Sequence, residues 1–252
     1  MFTRAIVRAP GPDAALGLTT AELGPLDLDA LRRQHAAYVG ALAELGLAIT
    51  ALDPLPGHPD AYFVEDTALV FPELAIVTRP GAPERRGETA SIAPALAPFR
   101  ALHHLEAPAL LDGGDVLLVD RTVFIGLGAR TNAEAAGAVR AILAPFGYAV
   151  VTIPVPEGLH LKSSVTWAGG RTLVLTEALA SRPELASYDR LVVPAEESYA
   201  ANVLWINGTV LAPRGFPRTA ALLAGAGIAV RLLDQREARK MDGALTCMSL
   251  RF

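Results

Sequence analysis

Cys247 is the only cysteine of the chain, in the closing run Gly243-Ala-Leu-Thr-Cys-Met-Ser-Leu-Arg-Phe252. A lone thiol has no disulfide partner. It is also a poor metal site, because zinc wants closely spaced Cys and His. Two readings remain. One is a buried small hydrophobe, as most free cysteines are. The other is a nucleophile, which needs a base and a pocket. The residues that could provide that setting stand in short polar runs: Glu65 and Asp66, Asp112 and Asp115, His160 and Lys162. Negative neighbours raise a thiol pKa, so a thiol among carboxylates makes sense if the substrate is a cation. A guanidinium would neutralise the acids and present its carbon to sulfur. His160 could then protonate the leaving amine and activate water. Arg85, Arg86 and Arg130 are candidates for a substrate carboxylate, which Arg grips bidentately. The bland alternative for each is a surface arginine.

A metal is the competing use for these acids. Asp112 and Asp115 could serve a hard cation, but the loop lacks ligand density. Their Asp-Gly-Gly-Asp run could equally be a tight turn. His103 and His104 are adjacent, in a segment that reads as loop. No metal or organic cofactor is expected.

The elements that must position these residues recur. A polar cluster meets a short apolar strand, a turn, a second strand, a helix and an outer strand. Phe63–Val70 leads into Leu74–Thr78 and a helix near Glu88–Phe99. Leu111–Val119 leads into Thr122–Gly126 and a helix over Ala133–Phe146, with Thr131 and Glu134 as its capping box. His160–Trp167 leads into Arg171–Leu175 and a helical stretch. Tyr199–Ile206 leads into Thr209–Ala212, a helix over Thr219–Gly225 and a strand over Ile228–Leu233. Asp66, Asp115, Ser164, Asn202 and Cys247 are separated by 49, 49, 38 and 45 residues. A period of about 20–50 residues signals a radial or stacked array. The fifth unit begins at Cys247 and runs out of chain. Residues 1–52 hold what it lacks: a strand at Ala5–Val7, a helix over Asp29–Gly46 with Asp29 as N-cap, and a strand over Leu47–Leu52. The chain therefore closes on itself, and five polar clusters meet on the axis as a carboxylate-lined cavity. Between the first strand and helix, Pro10–Pro25 is rich in Gly, Pro and Thr and carries Leu16 and Leu18. It is either a surface loop or a lid over the site.

Composition narrows the class. The chain has 252 residues, 52% of them hydrophobic, and a net charge of −4. No basic block suits nucleic acid. No uncharged apolar run reaches the ~18 residues of a membrane span, and no stretch has signal-peptide form. A cytoplasmic location and a small-molecule partner are expected, with no nucleic acid and no membrane. A homodimer is compatible with the sequence.

Phe63-Val-Glu-Asp66, Arg79-Pro-Gly-Ala-Pro-Glu-Arg-Arg86, Asp112-Gly-Gly-Asp115, Gly128-Ala-Arg-Thr-Asn132, Leu159-His-Leu-Lys162, Glu196-Glu-Ser-Tyr-Ala-Ala-Asn202 and the closing Cys247-Met-Ser-Leu-Arg-Phe252 resemble the dimethylarginine dimethylaminohydrolase family over essentially the whole chain. The resemblance implies one catalytic domain over 1–252, an α/β fold built as a five-bladed α/β propeller, and a methylated arginine as substrate. It implies Cys247 as nucleophile and His160 as general acid and base. Asp66 and Asp112 would hold the guanidinium, with Asp112 counted in the catalytic set. Asp60, Glu65, Arg85 and Arg130 would hold or order the amino-acid end. Phe63, the main chains of Leu18 and Met241, and Asp242 complete the implied substrate contacts. Position 112 is Asp here, where some relatives carry Glu.

Overall fold

A computed structural model of the chain describes residues 1–155 and 158–252. The recurring pattern folds into five sheets of three strands each. β1 (Arg4–Arg8) leads through α1 (Leu28–Glu44) to β2 (Ala48–Leu52), which lies parallel to it. Four units follow, each an inner strand, an antiparallel middle strand, a helix and a parallel outer strand. The first is β3 (Ala68–Val70), β4 (Leu74–Val77), α2 (Thr89–Leu96) and β5 (Ala101–His104). The second is β6 (Val116–Val119), β7 (Thr122–Leu127), α3 (Ala133–Leu143) and β8 (Ala149–Pro154). The third is β9 (Val165–Trp167), β10 (Thr172–Leu175), α4 (Glu177–Ala180) and β11 (Asp189–Val192). The fourth is β12 (Leu204–Ile206), β13 (Thr209–Pro213), α5 (Pro217–Gly225) and β14 (Ala229–Leu233). After α6 (Arg236–Lys240), the two-residue β15 (Leu250–Arg251) pairs antiparallel with β1, Ala5 opposite Arg251. The fifth sheet is thus assembled from both ends of the chain, and the five-bladed α/β propeller is closed.

Middle strands lie between an inner and an outer strand, so they read as continuous apolar runs. Leu74-Ala-Ile-Val77 is buried throughout. Adjacent blades share buried clusters: Ile76 with Ile125, Phe124 with Leu173, Val174 with Val210, Leu211 with Val7, and Ile6 with Ala75. Each of these side chains other than Ala75 contributes about 1.5–3 kcal/mol when fully buried. Five clusters between five blades distribute the core as a ring around the axis.

Two helix starts differ from the sequence expectation. The N-cap of α1 is Asp27, whose carboxylate accepts from Ala30 N at 2.9 Å, and not Asp29. The N-cap of α3 is Asn132, bonded to Ala135 N, and not Thr131. Thr131 faces inward instead. Its hydroxyl donates to Asp115 and accepts from Asp112 N, so the expected capping residue serves the site. His103 and His104 lie in strand β5, not in a loop. No helix among the described residues is long and apolar enough to cross a membrane.

Candidate active site

Each polar cluster forms a tight turn opening an inner strand. Val64–Thr67, Gly113–Asp115, Leu161–Ser163 and Ala195–Ala201 are 3₁₀ turns before β3, β6, β9 and β12. The turn over residues 245–248 carries Cys247 before β15. These turns meet as expected, but their acids divide into two sets.

The first set surrounds His160. Its Nε2 lies 3.0 Å from Asp112 Oδ2 and 4.0 Å from Asp66 Oδ1. Asp112 Oδ1 accepts from Gly81 N, and Asp66 Oδ1 from Gly114 N. The two glycines of Asp112-Gly-Gly-Asp115 are explained by close approach. A Cβ at Gly114 would sit 2.6 Å from His160 Nδ1, and one at Gly113 would strike the Glu65 carbonyl. Arg85 closes this set from behind. Its guanidinium takes Glu88 with Nε and Nη2, at 3.0 and 2.8 Å, and Asp66 with Nη1 at 2.5 Å. Asp115 positions its neighbours, accepting from Leu161 N at 2.8 Å and from Thr131 at 2.7 Å.

The second set is Glu65, Lys162 and Arg251. Glu65 Oε1 pairs with Lys162 at 2.6 Å and with Arg251 at 2.8 Å. Glu65 N donates to the Cys247 carbonyl, so this set backs the thiol. Asn202 fixes the same turn, donating to Thr246 Oγ1 and to the Lys162 carbonyl and accepting from Thr246 N.

Charge follows from this geometry. Burial alone would lower the His160 imidazole, but Asp66, Asp112 and Asp115 raise it to about 9. Burial works against the Asp66 carboxylate, yet His160, Arg85 and Gly114 N–H hold it near 2. Burial, then Glu65 and Asp66, pushes the half-buried Cys247 thiol to about 12. The linkage signs follow. The His160 contribution to stability is complete below its usual 6.5 and is lost as pH rises through about 9. That of Asp66 is complete above 3.8 and is lost as pH falls through about 2.

Atoms of Asp66, Asp112 and His160 lie within 4.8 Å of one another, a grouping that could hold a metal and that linear spacing did not reveal. Here Arg85 already pairs with Asp66 at 2.5 Å, and with His160 raised to about 9 a metal would have to displace the imidazole proton. The arrangement suits a proton donor between two carboxylates beside a protected thiol.

This chain is 39% identical over 254 residues to an N(G),N(G)-dimethylarginine dimethylaminohydrolase of Pseudomonas aeruginosa, spanning all of both chains. It is 40% identical over 250 residues to the enzyme of that name from Streptomyces coelicolor, covering 98% of this chain and 96% of that one. The chain belongs to the dimethylarginine dimethylaminohydrolase family. A solved structure of the Pseudomonas aeruginosa enzyme, a cysteine-to-serine mutant with citrulline, superimposes with a TM-score of 0.98 at 39% identity over both full chains. A dimethylarginine dimethylaminohydrolase adduct with S-methyl-L-thiocitrulline gives 0.97 at 39%, also over both full chains. No family model matches the chain.

In this dimethylarginine dimethylaminohydrolase family member, the remaining expected contacts sort into four places. The Pro10–Pro25 segment is latched through Leu18 N to Asp60 Oδ2 at 3.0 Å, Thr19 to the Lys240 carbonyl at 2.8 Å, and Thr20 N to Asp242 at 2.5 Å. Asp242, expected to touch substrate, spends its carboxylate on Thr20 from a left-handed backbone (φ 56°). Asp60 is buried, and burial raises it against the pull of Leu18 N–H, Arg85 and Arg130. Met241 packs near Gly17 of that segment. Phe63 lies where any Cβ on Gly243 would strike its ring, so it walls the cysteine loop, and its carbonyl accepts from Arg85. Glu65, expected at the amino-acid end, belongs to the ion-pair set behind Cys247. Arg130 stands against Gly81, the residue whose N–H holds Asp112. Sequence reasoning missed three residues. Glu88 locks Arg85, Thr246 anchors the turn beside Cys247, and Tyr62 is buried with a hydroxyl that has no partner among the described residues. The i, i+3 spacing of Arg85 and Glu88 in one turn was the available signal for the first.

Proposed function

We propose that this chain hydrolyses Nω-methylated arginines, asymmetric dimethylarginine and monomethylarginine, to citrulline and dimethylamine or methylamine. The observation that carries this reading is the polarity of the site. Glu65 and Asp66 flank a thiol whose protonation they favour, and Asp112 stands on His160 beside Asp66, a setting that a cationic guanidinium completes. Once the bound cation offsets Glu65 and Asp66, the Cys247 thiol gives its proton to solvent and the thiolate attacks the guanidinium carbon. The amine leaves with the His160 proton, giving a thiouronium on sulfur. His160, now neutral, takes a proton from water as its oxygen bonds to that carbon. The C–S bond then breaks, releasing citrulline and the thiolate. Each step uses groups present in the chain, over one catalytic domain of residues 1–252. A single cysteine suits a cytoplasmic enzyme. The deciding experiment is citrulline release by the purified protein from asymmetric dimethylarginine, with arginine in parallel. Release from arginine alone would assign a deiminase instead.

At the amino-acid end, Arg130 and Arg85 would read the α-carboxylate and Asp60 the α-ammonium. Four of the five Arg85 donors are engaged, leaving one Nη1 hydrogen for substrate among the described residues. Arg130 therefore carries the larger share. Arg130→Ala should weaken methylarginine at least tenfold in kcat/KM, about 1.4 kcal/mol, and matter far less for an analogue lacking the carboxylate. Equal losses on both substrates would mark Arg130 as structural.

The lid, residues 11–27, should exchange its amide hydrogens more slowly once citrulline is bound. The latches through Asp60 and Asp242 leave Leu16 79% exposed, so little apolar burial holds the segment down. Exchange unchanged at saturation would remove the lid from the binding cycle.

A further inference from the structure

A pocket of about 220 Å³ opens beside α6, and of the active-site turns only Tyr199 reaches it. Arg214, Arg236 and Arg239 line it, and all three are exposed. Two carboxylates, Asp234 and Glu237, act on Arg236, and Glu237 is itself paired with Lys240 at 2.9 Å. Asp234 accepts from Arg236 Nε and Nη2 at 3.0 and 2.8 Å and is also drawn down by Arg214. Arg239 has no carboxylate partner among the described residues. Its guanidinium lies over the rings of Tyr199 and Phe216, 4.8 and 5.5 Å from their centroids, which orients the plane without neutralising it. Arg214, Arg236, Arg239 and Lys240 against Asp234 and Glu237 leave two positive charges unmatched.

At the inner wall is Gln235, only 3% exposed. Neither its Nε2 nor its Oε1 has a hydrogen-bond partner among the described residues. A buried polar group left unpaired costs about 1–3 kcal/mol. A primary amide orphaned at both ends, on the wall of a pocket with a double positive excess, specifies an occupant: doubly negative, with at least one acceptor for Nε2 and one donor for Oε1. Hydrogen phosphate has that inventory, two negative charges and one remaining O–H. Guanidinium groups match its oxygens bidentately. Sulfate has the charge and lacks the donor.

We propose that Gln235, Arg214 and Arg239 form a binding site for a phosphate dianion. Its position gives it a route to the lid, because α6 ends at Lys240, whose carbonyl takes Thr19, and Asp242 follows two residues later. The proposal stands independently of the catalytic reading. The test is calorimetric titration of the full chain with inorganic phosphate, phenyl phosphate and sulfate at matched ionic strength, in chloride-balanced buffer. Saturable one-to-one phosphate binding is expected, at least tenfold tighter than sulfate. It should weaken at least tenfold in Gln235→Leu and in Arg239→Ala, and also in Arg214→Glu, an exposed substitution that leaves the fold intact. Phenyl phosphate, whose dianion has the charge but no O–H donor, should bind no tighter than sulfate; phenyl phosphate binding as tightly as inorganic phosphate would remove the donor to Gln235 Oε1 and overturn the proposal. Phosphate binding no tighter than sulfate, or affinity unchanged in all three variants, overturns the proposal.

Discussion

Asp66→Asn is expected to lower kcat/KM for a methylated arginine at least tenfold, about 1.4 kcal/mol or more of transition-state binding. The substitution keeps size and removes charge, so it isolates electrostatics. Asp66 is the chief charge raising His160 and it pairs with Arg85, and in the proposed mechanism it would also hold the guanidinium. All three fall away together. A second readout separates this from loss of fold. In the parent enzyme His160 keeps its proton up to about 9. Without the Asp66 charge, burial regains influence and the proton leaves at lower pH. The alkaline limb of the kcat/KM profile should therefore move downward. Asp112→Asn should lose a comparable factor in rate and also move that limb downward, because Asp112 supports the His160 proton through both a hydrogen bond and its charge. Near-normal kinetics in both variants would sink the carboxylate model.

The convergence behind this prediction is legible in the spacing of the polar clusters. Asp66, Asp115, Ser164, Asn202 and Cys247 hold the same phase of a repeat, and phase in a radial array is position around an axis. The closure of the chain follows from the same count, and β15 does pair with β1. What phase cannot show is direction. Glu65 and Asp66 are neighbours in one 3₁₀ turn, yet Asp66 serves His160 while Glu65 pairs with Arg251, 186 positions away. Consecutive side chains in a tight turn point apart, and their partners are chosen by other blades. Asp242 is hidden for a similar reason, since its partner Thr20 sits in a lid with no periodicity to read. The displaced caps at Asp27 and Asn132 reflect a different limit. Runs such as Asp27-Leu-Asp29 and Thr131-Asn132 offer two good capping residues, and which one caps depends on how the chain enters the helix.

The last expectation concerns sulfur and imidazole together. Cys247→Ser should abolish citrulline formation and form no covalent species. His160→Gly should turn over slowly yet accumulate an adduct on Cys247. The asymmetry follows from the two half-reactions. A guanidinium is a resonance-stabilised electrophile, and a hydroxyl at neutral pH is too weak a nucleophile to open it without a base aimed at its proton. A thiolate is far stronger and divides the barrier in two. The amine can leave with a proton drawn from solvent when the imidazole is missing. The water that cleaves the thiouronium must lose a proton as it attacks, and no other group in the His160 set is both neutral and basic once His160 is gone. The second half-reaction therefore slows more, and the intermediate builds up. Intact-protein mass spectrometry after an acid quench would find it as added mass on the single cysteine. The free enzyme gives an independent check on the thiol. With its pKa near 12, Cys247 should alkylate slowly with iodoacetamide at pH 7 and faster as pH rises. A guanidinium-bearing ligand too small to block the sulfur should accelerate alkylation at pH 7, because its positive charge offsets Glu65 and Asp66, the two charges that raise the thiol. Citrulline formation by Cys247→Ser, or an adduct on any other residue, would remove Cys247 as nucleophile. An adduct-free His160→Gly would leave Cys247 in place and transfer the rate-limiting proton to the first step.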